Sequence, residues 1–333
     1  MRKLTTIVLG LLLLVLLVTQ IQIIFEKRQI EDRIIRIKKG DNAKIIAERL
    51  EKADIINSSF YLVAYLIITK QDNKLTYGAY RFDGKYNIPD VVENIVNNKI
   101  ILKSLTIPEG LFIEEVGNLI SKKEFGKKDT FTAICRDSSK FKEFLSPAFP
   151  FKNLKSLEGF LYPETYFFPK NASIKAIIRK MTDEFTEKYS TLSRYQTKLL
   201  NEYEVIKLAS IVEKEAKKRE EKPKIASVYL NRVKKDMKLQ ADPTISYLLK
   251  KRGKFREKVY YKDLEIDSPY NTYKYKGLPP TPICNPSLES IEAVLYPDST
   301  EYFFFFAKDS GYHDFSKTYR EHSRKLRKFR NGS

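Results

Sequence analysis

The sequence predicts an α+β protein with an N-terminal membrane segment, a small α+β module and a larger mixed α+β domain. Three observations predict it. The 333 residues leave room for two domains once a membrane segment is subtracted. Short β-type runs alternate with amphipathic helical stretches along most of the chain. An apolar share of 42%, with 13% aromatic residues, supplies enough apolar surface for packed cores. The expected divisions are residues 1–26, 27–103 and 104–333.

Residues 4–25 are apolar apart from Thr5, Thr6, Gly10, Thr19, Gln20 and Gln22, and the length suits one transmembrane helix. A cleaved signal would have a shorter apolar part and a small-x-small site, which residues 19–25 do not offer. A retained anchor is therefore expected. Arg2 and Lys3 favour a cytoplasmic N-terminus, while Lys27, Arg28, Arg33, Arg36, Lys38 and Lys39 weigh the other way.

In the module, residues 34–37 read as a strand and 43–50 as a helix after the turn at Gly40 and Asp41. A second helix is expected at 60–69, a strand at 78–82, a helix at 91–98 opened by Ile88-Pro-Asp90, and a strand at 100–107. Short helices with Lys-rich faces follow to about Phe149. The stretch 157–168 is aromatic-rich, is punctuated by Gly159 and Pro163, and carries Glu158 and Glu164. Helices are expected at 174–189, 201–220, 224–233 and 287–294, a buried strand at 302–307, and a basic, solvated helix from Arg320.

Net charge is +19, spread along the whole chain, which favours polyanions: nucleic acid, anionic lipid headgroups or an acidic wall matrix. No RNA-binding signature, zinc-finger spacing or Gly-rich phosphate loop is present. Cys135 and Cys284 are far apart, and nothing in their local sequence demands a bridge, so two buried thiols are expected. With His313 and His322 the only histidines, a His-based metal site is not expected, and neither lies near a nucleophile elbow.

The helix expected at 201–220 is the most informative stretch. Asn201 and Glu204 make a capping box, Lys217, Lys218 and Arg219 suit the negative C-terminal end, and Pro223 blocks continuation. Val205, Ile206, Leu208, Ala209, Ile211, Val212 and Ala216 fill one wide arc, and Lys207, Ser210, Lys214 and Lys217 the rest. Glu213 and Glu215 fall on opposite shoulders of the apolar arc, where a carboxylate is costly unless paired or functional. Ala209 and Ala216 beside Glu213 leave room for a ligand, whereas Glu215 sits among Leu208, Ile211 and Val212 and reads as structural. The two side chains diverge, so they do not flank one scissile bond as a pair. Elsewhere, the buried-aromatic reading suits Phe160, Phe167 and Phe168. For Glu158, Gln240, Asp242 and Asn271 a structural role and a sugar-binding role are equally open.

Five motifs occur in order: Leu157-Glu-Gly-Phe-Leu-Tyr-Pro-Glu-Thr-Tyr166, Ala209-Ser-Ile-Val-Glu-Lys-Glu215, Leu239-Gln-Ala-Asp-Pro-Thr244, Tyr270-Asn-Thr-Tyr273 and Gly277-Leu-Pro-Pro280. Together they resemble the MltG/YceG-like endolytic murein transglycosylases over residues 104–333, with an anchor and a LysM-like module before them. The resemblance implies a single-pass cell-membrane protein with its catalytic domain outside the cytoplasm. Such an enzyme cleaves nascent glycan between N-acetylmuramic acid and N-acetylglucosamine and leaves 1,6-anhydro-muramyl ends. It implies Glu213 as the catalytic residue. Glu158, Glu164, Gln240, Asp242, Tyr270 and Asn271 are expected to bind substrate. No metal and no cofactor are expected. The expected partners are peptidoglycan strands, the membrane and a peptidoglycan synthase, and nucleic acid is not one. Ala241 stands where the family often has threonine. The mechanism expected from the sequence keeps Glu213 protonated by apolar packing, so that one residue serves as acid and then as base. In it, Glu158, Gln240, Asp242 and Asn271 position the sugars or hold Glu213. The competing readings are a membrane-tethered glycan-binding scaffold and a charge-driven nucleic-acid binder.

Overall fold

The computed structural model describes residues 19, 22–38, 40–97, 99–100, 102–170, 172–192, 199–254 and 258–331. The chain divides into two compact units, residues 1–103 and 104–333. Most of the expected anchor, residues 4–25, lies outside the described residues. Among the described residues, no helix is long and apolar enough to cross a membrane.

In the first unit, the strands Arg28–Ile37 and Gly78–Tyr86 pair antiparallel, and Lys99–Ile100 pairs with the second of them. The helices Ala43–Lys52 and Ser59–Thr69 lie between the two long strands in sequence. Asn42 starts the first helix by accepting the Ile45 N–H at 2.9 Å, and Lys70 in the left-handed region ends the second. Leu50, Leu66, Tyr80, Phe82, Val91 and Ile95 fill the core. The first strand begins at Arg28 rather than residue 34. Its register shifts between Ile30 and Arg33, where Asp32 takes a positive φ, and this bulge breaks the alternation that marks a strand in sequence. The expected strand 100–107 is two strands in different sheets, Lys99–Ile100 and Leu102–Thr106.

The strand Leu102–Thr106, most of it in the second unit, pairs with Thr165–Pro169, a strand hidden in the aromatic-rich stretch. The helices Glu202–Glu215, Lys222–Lys234 and Leu288–Leu295 pack on one another around Ile206, Val212, Ile225, Val228, Ile291 and Val294. Phe160 and Phe168 are core residues, while Phe167 is exposed. The Asn201 box is present in both directions, at 3.0 Å and 2.9 Å. The helix stops at Glu215 rather than residue 220, because Ala216 turns extended (φ −76°, ψ 115°). Lys217, Lys218 and Arg219 therefore lie beyond the helix. A 3-10 turn over Arg219–Glu221 follows, and Glu221 accepts the His313 N–H at 3.0 Å and 3.1 Å to its two oxygens. Ser210, expected on the polar face, is wholly buried. It accepts the Ile283 N–H at 3.0 Å, and its carbonyl accepts the Cys284 thiol at 3.3 Å. Both cysteines are buried free thiols. The strand Phe304–Ala307 is half-exposed and pairs with His313–Ser316, and Tyr319–Asn331 forms the basic helix.

Candidate active site

Glu213 lies in the last turn of the Glu202–Glu215 helix with its side chain 8% exposed. Four donors converge on its Oε2: the Ser287 N–H at 2.9 Å, Ser287 Oγ at 2.5 Å, Ser290 Oγ at 2.7 Å and Lys222 Nζ at 3.2 Å. Ser287 is the N-cap of the Leu288–Leu295 helix, so the carboxylate rests on that helix's positive end. Lys222 also donates to Ser287 Oγ at 2.9 Å, which locks cation, hydroxyl and carboxylate together. Burial pushes the Glu213 carboxyl up. The Ser287 and Ser290 hydroxyls, Lys222 and the Ser287 N–H outweigh it, and the group titrates below the ordinary glutamate value. This corrects the expectation of a protonated resting Glu213: polar donors, not apolar packing, surround the charged end.

Ala209 is in the core and leaves no opening. Gly110, at φ +72°, packs close to Glu213: a Cβ there would stand 3.6 Å from Glu213 Cγ and 3.3 Å from Lys214 Cδ. Gly110 donates its N–H to the Asn285 carbonyl at 2.9 Å and accepts Lys214 Nζ at 3.2 Å. Asn285, fully buried, is the junction of three segments. Its Oδ1 accepts the Gly159 and Leu161 N–H groups at 3.0 Å each, and its Nδ2 donates to the Leu111 carbonyl at 2.8 Å.

Glu215 diverges from Glu213, as its spacing predicts. It accepts the Tyr229 hydroxyl at 2.6 Å, and burial pushes it up to about 7 against that bond. The other expected site residues divide into three groups. Glu158 and Asn271 are 0% exposed. Glu158 accepts the Ile113 N–H at 3.0 Å and the Tyr247 hydroxyl at 3.4 Å, with Arg136 at 3.7 Å. Asn271 donates to the Leu264 and Ile266 carbonyls at 2.8 Å and accepts the Tyr273 N–H at 2.9 Å. Both therefore work inside the fold, which corrects the sugar-contact reading for these two. Tyr270 is half-buried, with its hydroxyl 2.8 Å from Thr281 Oγ1. Glu164, Gln240 and Asp242 are exposed. Gln240 has a positive φ (50°), and Asp242 accepts the Tyr273 hydroxyl. None of these residues holds Glu213. Ser287, Ser290 and Lys222 do, from loops and helix starts 9 to 77 positions away in sequence. An Asn-Pro-Ser run at 285–287 was the one available signal, a strong N-cap opening a helix.

Burial pushes Glu158 up to about 8, against the pull of Arg136. A carboxyl raised in the folded state stabilises most below its unfolded value, and that stability is lost as pH rises through the folded one. The melting temperature should therefore fall between about pH 5 and pH 8, and Glu158→Gln should flatten that decline in calorimetry. In Lys222→Met the cation beside Glu213 is gone. The low-pH limb of its activity should shift upward, a change readable in a pH–rate profile and in the Glu213 side-chain NMR titration.

The fold and the site define a two-unit α+β protein with a carboxylate centre fit for proton transfer and for stabilising positive charge. The YceG-like family profile matches residues 35–328. The chain is 34% identical over 310 residues to the endolytic murein transglycosylase of Bacillus subtilis, covering 89% of this chain and 84% of that one. It is 29% identical over 296 residues to the endolytic murein transglycosylase of Streptococcus pneumoniae, covering 81% of this chain and 53% of that one. The crystal structure of a YceG-like protein from Listeria monocytogenes aligns with a TM-score of 0.59 at 32% identity, over 88% of this chain and 99% of that one. The chain belongs to the YceG-like family.

Proposed function

We propose that the protein is a lytic transglycosylase that cuts peptidoglycan glycan strands between N-acetylmuramic acid and N-acetylglucosamine and leaves 1,6-anhydro-muramyl ends. The observation that carries this reading is the Glu213 carboxylate, held ionised by four donors on Oε2. All four fall on one oxygen, so Oε1 is the oxygen offered to substrate. As the glycosidic bond lengthens, the Glu213 anion stabilises the positive charge that develops at the muramyl anomeric carbon. It then takes the proton of the muramyl 6-hydroxyl as that oxygen attacks the same carbon, and passes that proton to the glucosamine O4 as the C1–O4 bond breaks. The nucleophile belongs to the substrate, so no water is activated and no second carboxylate is needed as nucleophile. Glu164, Gln240, Asp242 and Tyr270 are the residues to line the strand. Residues 4–25 anchor the chain in the cell membrane, with both folded units on the wall side and a peptidoglycan synthase as the source of nascent strands. The net charge of +19 suits a location among anionic headgroups and wall polymers.

The test is mass spectrometry of uncrosslinked glycan strands incubated with the full chain in detergent. New 1,6-anhydro-muramyl ends are expected. Reducing ends would replace the intramolecular step by hydrolysis. Strands bound but uncut by a folded sample would favour a glycan-binding scaffold.

A further inference from the structure

We propose that the outer face of the Ser59–Thr69 helix lies on the membrane, with Phe60, Ile67 and Ile68 seated just beneath the lipid headgroups. The proposal rests on the reading of residues 4–25 as an anchor. Between Ser59 and Thr69 every residue of this helix is apolar or aromatic. Only Leu62 and Leu66 are buried in the core of the first unit. Tyr61, Val63 and Tyr65 pack on that core from its edge and stay half-buried. Phe60, Ile67 and Ile68 are 72%, 65% and 77% exposed. With the half-buried Ala64 they fall at i, i+4, i+7 and i+8, which is one stripe of a helix. Single exposed apolar side chains are ordinary, but three on one stripe mark a surface that something covers.

The way the chain enters this unit selects the bilayer as the cover. Residues 22–25 are helical, and Ile24 packs on the core of the unit. Asn87 Nδ2 donates to the Phe25 carbonyl at 3.5 Å. The first strand starts at Arg28, so Glu26 and Lys27 alone lie between, a reach of about 7 Å. Lys27 is itself paired with Asp90 at 3.3 Å. Asn87 directly precedes the helix Ile88–Asn97, and that helix packs on the Ser59–Thr69 helix. An anchor ending at Phe25 therefore holds the unit against the surface with no spacer.

Charge points the same way. Residues 27–103 carry 15 Lys and Arg against 10 Asp and Glu, which suits anionic headgroups. Lys70 and Lys74, both exposed, follow the stripe at its C-terminal end, where cations flank an apolar segment at a lipid interface.

A second copy of the chain fits this face less well. From Phe60 to Ile68 the stripe is about 12 Å long on a helix about 10 Å wide. That is far short of the roughly 800 Å² per partner of a stable dimer. The membrane needs no such area, because the anchor already holds the unit beside it.

The chain has no Trp, so one introduced indole reports alone. The test places Ile68→Trp, in the full chain, in vesicles of phosphatidylglycerol and phosphatidylcholine. The phosphatidylcholine is brominated near the headgroup end of its acyl chains. Bromine should lower the emission at least about twofold, and iodide in the water should leave it nearly unchanged. Adding Phe60→Ser and Ile67→Ser should cancel the bromine quenching and restore the iodide quenching. The melting temperature should hold, since both side chains are exposed. Iodide quenching without bromine quenching overturns the proposal, because the stripe is then in water. Bromine quenching that persists in the serine variant overturns it as well, because the indole alone then makes the contact. So does shielding from both quenchers. A second copy is then the cover if the shielding fades on dilution to one chain per vesicle, and another part of the same chain if it does not. Leu13→Trp checks the anchor separately: if lipid brominated near its methyl ends fails to quench it, the anchor reading itself falls.

Discussion

Glu213→Gln should lower strand cleavage by at least about 10³-fold while the protein stays folded. The amide has the same shape and volume, and the Ser287 and Ser290 hydroxyls can rotate to meet it. On the proposed mechanism, what is lost is the negative charge facing the anomeric carbon and the capacity to take the O6 proton. The expected fall combines both, because general-base and electrostatic contributions each reach about 10²-fold or more. Lys222 would be left with no anionic partner in a site where it is almost buried, so a modest drop in melting temperature is expected too. Glu215→Gln is the matched control. Its carboxyl serves Tyr229 on the Lys222–Lys234 helix, and its activity should stay within about tenfold of wild type. The reverse outcome, an inactive Glu215→Gln beside an active Glu213→Gln, would remove Glu213 from the reaction.

Asn285→Ala should be the most destabilising single change near the site. The amide satisfies the Gly159 and Leu161 N–H groups and bonds the Leu111 carbonyl, all at a wholly buried position. Alanine leaves two N–H groups without partners, at about 1–3 kcal/mol each, for a total of roughly 2–5 kcal/mol. For a unit of this size that corresponds to a fall of about 5–15 °C in melting temperature. Activity measured well below the new midpoint should also drop, because the lost amide ties down the Leu111 carbonyl, the residue after Gly110. Asn285→Asp should recover part of the stability, since its carboxylate can still accept both N–H groups. A midpoint unchanged in Asn285→Ala would show that the three segments hold together without it.

The local features of the Glu202–Glu215 helix were legible in the sequence because they depend on neighbours along the chain. Asn201 and Glu204 meet through a spacing of three, and Glu213 and Glu215 diverge through a spacing of two. The helix's true end was not legible, because Ala216 turns extended without any breaker residue beside it. The charge state of Glu213 was misread for a related reason. A wheel shows the apolar flank that the helix presents, but not the hydroxyls and the lysine that two other helices bring to the carboxylate's tip. Glu158 and Asn271 looked like ligand-binding groups because polar residues in Gly- and Pro-rich loops often are. In the fold they satisfy buried backbone groups that such loops leave open. Gly159 tells the same story: a Cβ there would come within 2.6 Å of Pro282 Cγ, a contact between segments that no local pattern announces.

The placement of Ser287 and Ser290 has a consequence for how copies of this enzyme are made. They come 74 and 77 residues after Glu213. A ribosome has therefore finished the glutamate long before it supplies the groups that fix its ionisation. A chain cut short anywhere before Ser287 carries the key acid without its Ser287 and Ser290 donors and without the Leu288–Leu295 helix that packs against it. The site is therefore complete only once the chain has been made through Ser290.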